Sequence, residues 1–368
     1  MNSSPRTPAE PTRLDFIDAL RGIAVLGVLL VHAAVLTSQT GALGGLGILG
    51  YRGVQLFYTV SAFTLFLSLD SGHSERYKWS NFFIRRFFRI APLFYLAAIG
   101  NLLLRGRQGL STTEIVSGFV FLNGLSPRAI NIVAAGGWSI AVETSFYLLV
   151  PILFVTIKNL KNSILACVIA ALGLGGASFY MATLPQFAGD TMQIYFRLFW
   201  LPVELPVFLL GIVAYFVWKH RSQWQRSVDP VLLIVGSAFL FFLGLPVKNW
   251  GLYLSCIPFI GLIAALSIHS WPPLVNRFTR FMGKISYSMY LMHFFILYAV
   301  ERMQIQLPPS ALGFVAAYLL ILAGSIPLCL LTFTYIEQPG IRLGRNWIRK
   351  REANATADML LADVPANS

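Results

Sequence analysis

Apolar runs of about 20 residues recur along this chain, and each is long enough to cross ~30 Å of hydrocarbon. No other feature limits the fold so strongly. Ten such spans are expected, at roughly 14–38, 50–69, 87–105, 138–157, 163–184, 195–218, 229–246, 251–269, 284–303 and 311–336. Composition agrees. Of 368 residues, 56% are hydrophobic and only 12% are charged, too few charges to coat a soluble domain of this length. The expected fold is an all-α polytopic membrane protein. A further apolar piece, 113–124, is too short to span and is expected to be re-entrant or interfacial on the outer side.

The cationic residues set a direction. With the N-terminus inside, twenty of the 28 Lys and Arg residues fall on the cytoplasmic side, including Arg6, Arg13, Arg76, Lys78, Arg85, Arg86, Arg89, Lys219, Arg280 and Arg351. Arg105, Arg107, Arg128, Lys248 and Arg302 fall outside, and Arg21, Arg52 and Arg197 lie within spans. This bias favours an even span number with both termini cytoplasmic. It also gives the net charge of +13 a topological cause, with anionic lipid rather than nucleic acid as the partner. Cys167, Cys256 and Cys329 sit singly, with no disulfide or metal spacing. The first span is too long for a cleavable signal and lacks a clean cleavage site. One membrane domain, 14–345, is expected between a cytoplasmic tail at 1–13 and another at 346–368, both with little to fold. No internal repeat or appended soluble domain is evident.

Polar residues inside such spans are costly and tend toward function. In "ALRGIAVLGVLLVHAAVL", residues 19–36, Arg21 and His32 share one helix face and lie roughly 16 Å apart along the axis. Arg21 is expected near the cytoplasmic surface and His32 in the outer half. Lipid snorkelling and a helix–helix contact would account for them about as well. Arg86 and Arg89 are three apart at the start of the third span, so their guanidiniums share a face. Paired guanidiniums match phosphate oxygens, although a topological anchor explains them equally and explains Arg85 better. Ser139, Glu143 and Tyr147 form an i, i+4, i+8 stripe. Glu143 lies about 8 Å below the outer surface, counted from Trp138. That depth matches His32, so a Glu143–His32 acid–base pair is geometrically possible, in which the carboxylate would hold one imidazole tautomer. Ser286, Tyr290 and His293 make a third stripe. Packing hydrogen bonds would explain the first two, and His293 is the odd residue.

In order along the chain, Arg21 with His32, "GVQLFYTVSAF" at 53–63, Arg86 with Arg89, "WSIAVETSFYLLVP" at 138–151, "ISYSMYLMH" at 285–293 and "YIEQP" at 335–339 resemble acyltransferase family 3. That family includes bacterial O-antigen, exopolysaccharide and peptidoglycan O-acetyltransferases. The likeness runs from about residue 14 to 345. Two departures stand out: Ala62 replaces a frequent glycine, and the fused extracytoplasmic hydrolase-like domain of many members is missing. The chain would therefore act alone or with a separate periplasmic partner.

The resemblance implies an enzyme of the bacterial inner membrane. It would move an acetyl or other short acyl group from cytoplasmic acyl-CoA, a co-substrate rather than a bound cofactor, to a hydroxyl of a glycan or glycolipid. Arg86 and Arg89 would meet the CoA phosphates and Arg21 would mark the entrance. His32 would be the general base oriented by Glu143, with an acyl-enzyme route left open. Ser139, Tyr147, Ser286, Tyr290, His293 and Glu337 would support it. Two rivals remain from the residues alone. A proton-coupled transporter of a sugar or ion would also use buried His, Glu and Arg. A non-catalytic subunit of a polysaccharide export complex would tolerate alanine along the stripes.

Overall fold

The computed structural model describes residues 14–38, 41–71, 75–127, 129–130, 133–181, 183–184, 196–197, 199–247 and 250–362. The expected 1–13 tail with Arg6 and Arg13, and the outer-side residues Arg128 and Lys248, lie outside them. Every regular element among the described residues is helical. In chain order these are α1 (Asp15–Leu36), α2 (Gly41–Gly50), α3 (Gly53–Ser71), α4 (Lys78–Arg105), α5 (Thr112–Phe119) and α6 (Gly137–Thr156). Next come α7 (Leu160–Ala170), joined to α8 (Gly176–Met181) by a π-helical turn, then α9 (Leu201–Lys219), α10 (Arg221–Trp224) and α11 (Pro230–Gly244). The last are α12 (Gly251–Cys256), α13 (Pro258–Ile268), α14 (Arg277–Lys284), α15 (Ser286–Arg302), α16 (Ala311–Thr332) and, after a second π turn at Phe333–Glu337, α17 (Gln338–Ala362).

Among the described residues, eight helical stretches are long and apolar enough to cross a membrane, and the chain is a multi-pass membrane protein. Two of the ten expected spans fall short of that standard. The 229–246 run becomes α11, an apolar helix of 15 residues. The 284–303 run becomes the 17 residues of α15, packed behind α14. The 251–269 run is interrupted at Pro258, which cannot donate to the preceding turn. The 113–124 piece is an eight-residue helix, opened by a reciprocal capping box between Ser111 and Glu114.

The C-terminal region departs most from expectation. Residues 346–362 are not a loose tail but the continuation of α17. The Glu352 carboxylate accepts from the backbone N–H groups of Arg76 and Tyr77 and from Asn81 Nδ2 at 2.6 Å. The Arg351 guanidinium lies 4.0 Å from the Tyr77 ring centroid. Those orphan donors sit at the start of α4, where a helix needs an acceptor.

Close backbone approach holds the centre. A Cβ on Gly22 would overlap the Thr279 carbonyl, and one on Gly283 would overlap the Asp18 carbonyl, so α1 and α14 cross at contact distance. Gly211 of α9 likewise lies against the Thr59 carbonyl of α3. Small residues at crossings are how helices gain van der Waals contact in lipid. Around them an aromatic core closes, with Phe146, Phe208 and Tyr58 stacked at centroid distances of 4.0 and 4.3 Å.

One end of the bundle carries Arg85–Glu75, Lys219–Asp70 and Arg280–Asp15 ion pairs. The opposite end carries Arg105–Glu301. The first end, with Arg76, Arg85 and Arg351, is the basic end.

Candidate active site

A cleft of about 640 Å³, its open mouth included, lies between α1, α3, α4, α6 and α15. Arg21 enters it from α1, and Arg86 with Arg89 enter from α4. The i, i+3 spacing of the α4 pair puts both on the inner face. Arg85 points elsewhere, bound to Glu75 at 2.8 Å. Three guanidiniums therefore converge on a wall that presents one carboxylate, Glu143. Glu143 Oε1 accepts from Ser61 Oγ at 2.7 Å and from the Tyr147 hydroxyl at 2.6 Å. Arg86 sits 5.9 Å from the Tyr147 ring centroid, and its buried Nε has no partner among the described residues. Arg21 donates to Thr64 Oγ1 at 3.3 Å.

Away from the α4 arginines the cleft is bounded by a tight polar knot. Ser139 Oγ donates to the Tyr290 hydroxyl at 2.7 Å, and that hydroxyl donates to the Gly136 carbonyl at 3.0 Å. Gly136 has φ +72°, and a Cβ there would stand 2.5 Å from Phe294 Cε2. Only glycine opens α6 at this point without strain. Just past Tyr290 lie two imidazoles. His32 of α1 and His293 of α15 have ring centroids 4.9 Å apart, with Phe294 at 5.0 Å from the first and 4.1 Å from the second.

The structure thus brings Arg21, Arg86, Arg89, Ser139, Glu143, Tyr147, Ser286 and Tyr290 to one cleft, and His32 to His293 beside it. It does not make the expected Glu143–His32 pair. The Glu143 carboxylate is bound to Ser61 and Tyr147, and the neighbour of His32 is another imidazole. Equal depth fixes height along two helices but not which faces meet. Glu337 does not line the cleft but stands behind its wall, within electrostatic reach of Arg89 and Arg21. The π turn of "YIEQP" turns it inward, 3% exposed, where it accepts from Ser288 Oγ at 2.8 Å.

Sequence reasoning missed Ser61, Tyr58 and Thr64 of α3 as site residues. Tyr58, Ser61 and Thr64 recur at i, i+3, i+6 inside "GVQLFYTVSAF" and just beyond it, which was the available signal.

The described residues thus form a multi-pass helical membrane protein whose cleft gathers three guanidiniums, with a histidine pair beside it. The chain belongs to acyltransferase family 3: the family model described as "Acyltransferase domain" matches residues 14–334. It is 27% identical over 365 residues to "Putative O-acetyltransferase SACOL0978" of Staphylococcus aureus, covering 88% of this chain and 56% of that protein. It is 26% identical over 341 residues to O-acetyltransferase OatA of Staphylococcus aureus, covering 80% and 52%. The chain therefore spans about half the length of these curated relatives. No solved structure gives a significant match.

Proposed function

We propose that this chain is a bacterial inner-membrane O-acetyltransferase, taking an acetyl or short acyl group from cytoplasmic acyl-CoA and delivering it to a hydroxyl of a surface or exported glycan. The observation that carries this is the convergence of Arg21, Arg86 and Arg89 from two helices on one cleft. A phosphate-rich carrier needs several forked donors at one place. A topological anchor has no need to face a cleft, and the neighbouring Arg85 binds Glu75 instead.

In the proposed reaction the arginines hold the CoA phosphates, and the pantetheine arm carries the thioester past Tyr290 toward His32. His32 takes the proton of the acceptor hydroxyl, whose oxygen attacks the thioester carbonyl. The C–S bond breaks, and CoA leaves as the thiol after recovering that proton. Glu143 neutralises part of the cationic cleft and fixes Tyr147 and Ser61; it does not touch the base.

Purified protein supplied with acetyl-CoA, with water as the acceptor, should release free CoA thiol, and His32→Ala should lose this by ~10²–10⁴-fold at equal folded yield, the usual cost of a missing general base. Protein that releases no thiol from acetyl-CoA or propionyl-CoA would point instead to proton-coupled transport.

A further inference from the structure

His293 is fully buried, and its two ring nitrogens are in different situations. Nδ1 lies 2.9 Å from the Met289 carbonyl of its own helix. A carbonyl only accepts, so Nδ1 carries the hydrogen and the ring is held in a single tautomer. Nε2 is then a bare lone pair, and no described group satisfies it. The Tyr290 hydroxyl is already engaged with the Gly136 carbonyl at 3.0 Å and with Ser139 Oγ at 2.7 Å. Phe294 offers only carbon. An acceptor left unsatisfied in a fully enclosed site is uncommon and calls for a reason.

The remaining neighbour is His32, part-exposed on α1, with its centroid 4.9 Å away and the rings inclined at 46°. Ring nitrogens stand about 1 Å out from their centroids, and the terminal torsion of an imidazole turns broadly. A small rotation of His32 therefore brings an N–H to hydrogen-bond reach of His293 Nε2. We infer that His293 is the positioning residue of His32, its Nε2 accepting the hydrogen of one His32 ring nitrogen so that the other faces the acceptor hydroxyl as a bare base. This inference rests on the assignment of His32 as the base.

The proton balance is simple. The substrate hydroxyl gives its proton to the free nitrogen of His32, the resulting imidazolium stays bonded to neutral His293 through its other N–H, and the departing CoA thiolate takes the proton back. His293 changes neither its charge nor its tautomer. It fills the role that a carboxylate fills beside a base, at lower strength and without burying a second charge in the membrane.

Two amide substitutions separate positioning from packing. His293→Asn puts its amide where Nδ1 was, so it keeps the Met289 bond and loses the reach to His32. His293→Gln extends to where Nε2 was and can still accept. The assay is CoA thiol release from acetyl-CoA with water as acceptor, with acetyl-CoA affinity measured by calorimetry and folding by monodispersity in detergent. His293→Asn should lower kcat by about ten- to a hundredfold, less than loss of the base itself, with donor affinity unchanged. His293→Gln should recover most of that loss. In a His32→Ala background, His293→Asn should cost nothing further, as expected of residues that act as a unit. Equal losses in Asn and Gln, a wild-type kcat in Asn, or a loss that multiplies in the His32→Ala background would each overturn the inference. If His32→Ala alone keeps wild-type turnover, the base assignment fails and this inference with it. If His32→Ala is inactive while Asn is unaffected, only the positioning role fails.

Discussion

At the scale of single residues, the decisive contrast is among three arginines within five positions of α4. Arg86 and Arg89 line the cleft, whereas Arg85 is held by Glu75. Arg86→Ala and Arg89→Ala should each weaken acetyl-CoA binding by about tenfold or more, since a hydrogen bond to a charged group contributes ~1.5–3 kcal/mol. Lysine should rescue only partly because the forked geometry is lost. Arg85→Ala should leave affinity within about twofold, because its part-exposed ion pair with Glu75 lies outside the cleft. Calorimetric titration decides, and equal affinities in all three variants would reduce the pair to anchors. The α4 pair was legible in the sequence because i, i+3 spacing on a helix settles a shared face. The Glu143–His32 pair was misjudged because sequence gives depth but not azimuth. His32 with His293 could not be read at all, since it depends on how the first helix packs against one more than 250 residues later.

At the scale of elements, the crossing of α1 with α14 fixes where Arg21 points. Gly22 and Gly283 let the two backbones touch at the Thr279 and Asp18 carbonyls, one residue from Arg21 itself. Gly283→Ala must push the helices apart, and overpacking of this kind costs about 1–3 kcal/mol. Its thermal aggregation midpoint in detergent should fall by several degrees, and acetyl-CoA affinity should fall with it as Arg21 turns out of the cleft. An unchanged midpoint would show that the crossing has slack. Hydropathy located the lipid-facing elements well because the bilayer imposes length and apolarity together. It could not locate their ends. Helix α4 begins at Lys78, nine residues before the apolar run, because backbone hydrogen bonding continues wherever side chains permit a helix, in lipid or out of it. The same reason hid α17: "QPGIRLGRNWIRKRE" is too polar to mark a span, yet its packing on the start of α4 keeps it helical.

At the scale of the whole molecule, the arrangement makes a claim about direction. The α4 arginines lie toward the basic end, where Arg76, Arg85, Lys219, Arg280 and Arg351 gather, and the proposed function places that end in the cytoplasm, as a positive-inside bias favours. His32 lies roughly 16 Å further along α1 from Arg21, beyond the knot of Ser139, Tyr290 and Gly136. The donor should therefore be reachable only from the cytoplasm, and the acceptor from the opposite side. In sealed vesicles of known orientation, radiolabelled acetyl-CoA supplied at the cytoplasmic face should acylate glycan enclosed at the other face. The same donor supplied only on the glycan's side should give no product, because Arg86 and Arg89 are then out of reach. Arg86→Ala should lower the rate of the first arrangement and leave the second at background. Transfer that occurs only when donor and glycan share the cytoplasmic face would reverse the assignment. The chain would then modify lipid-linked precursors before export, and His32 would have to be reached from the same mouth as the arginines.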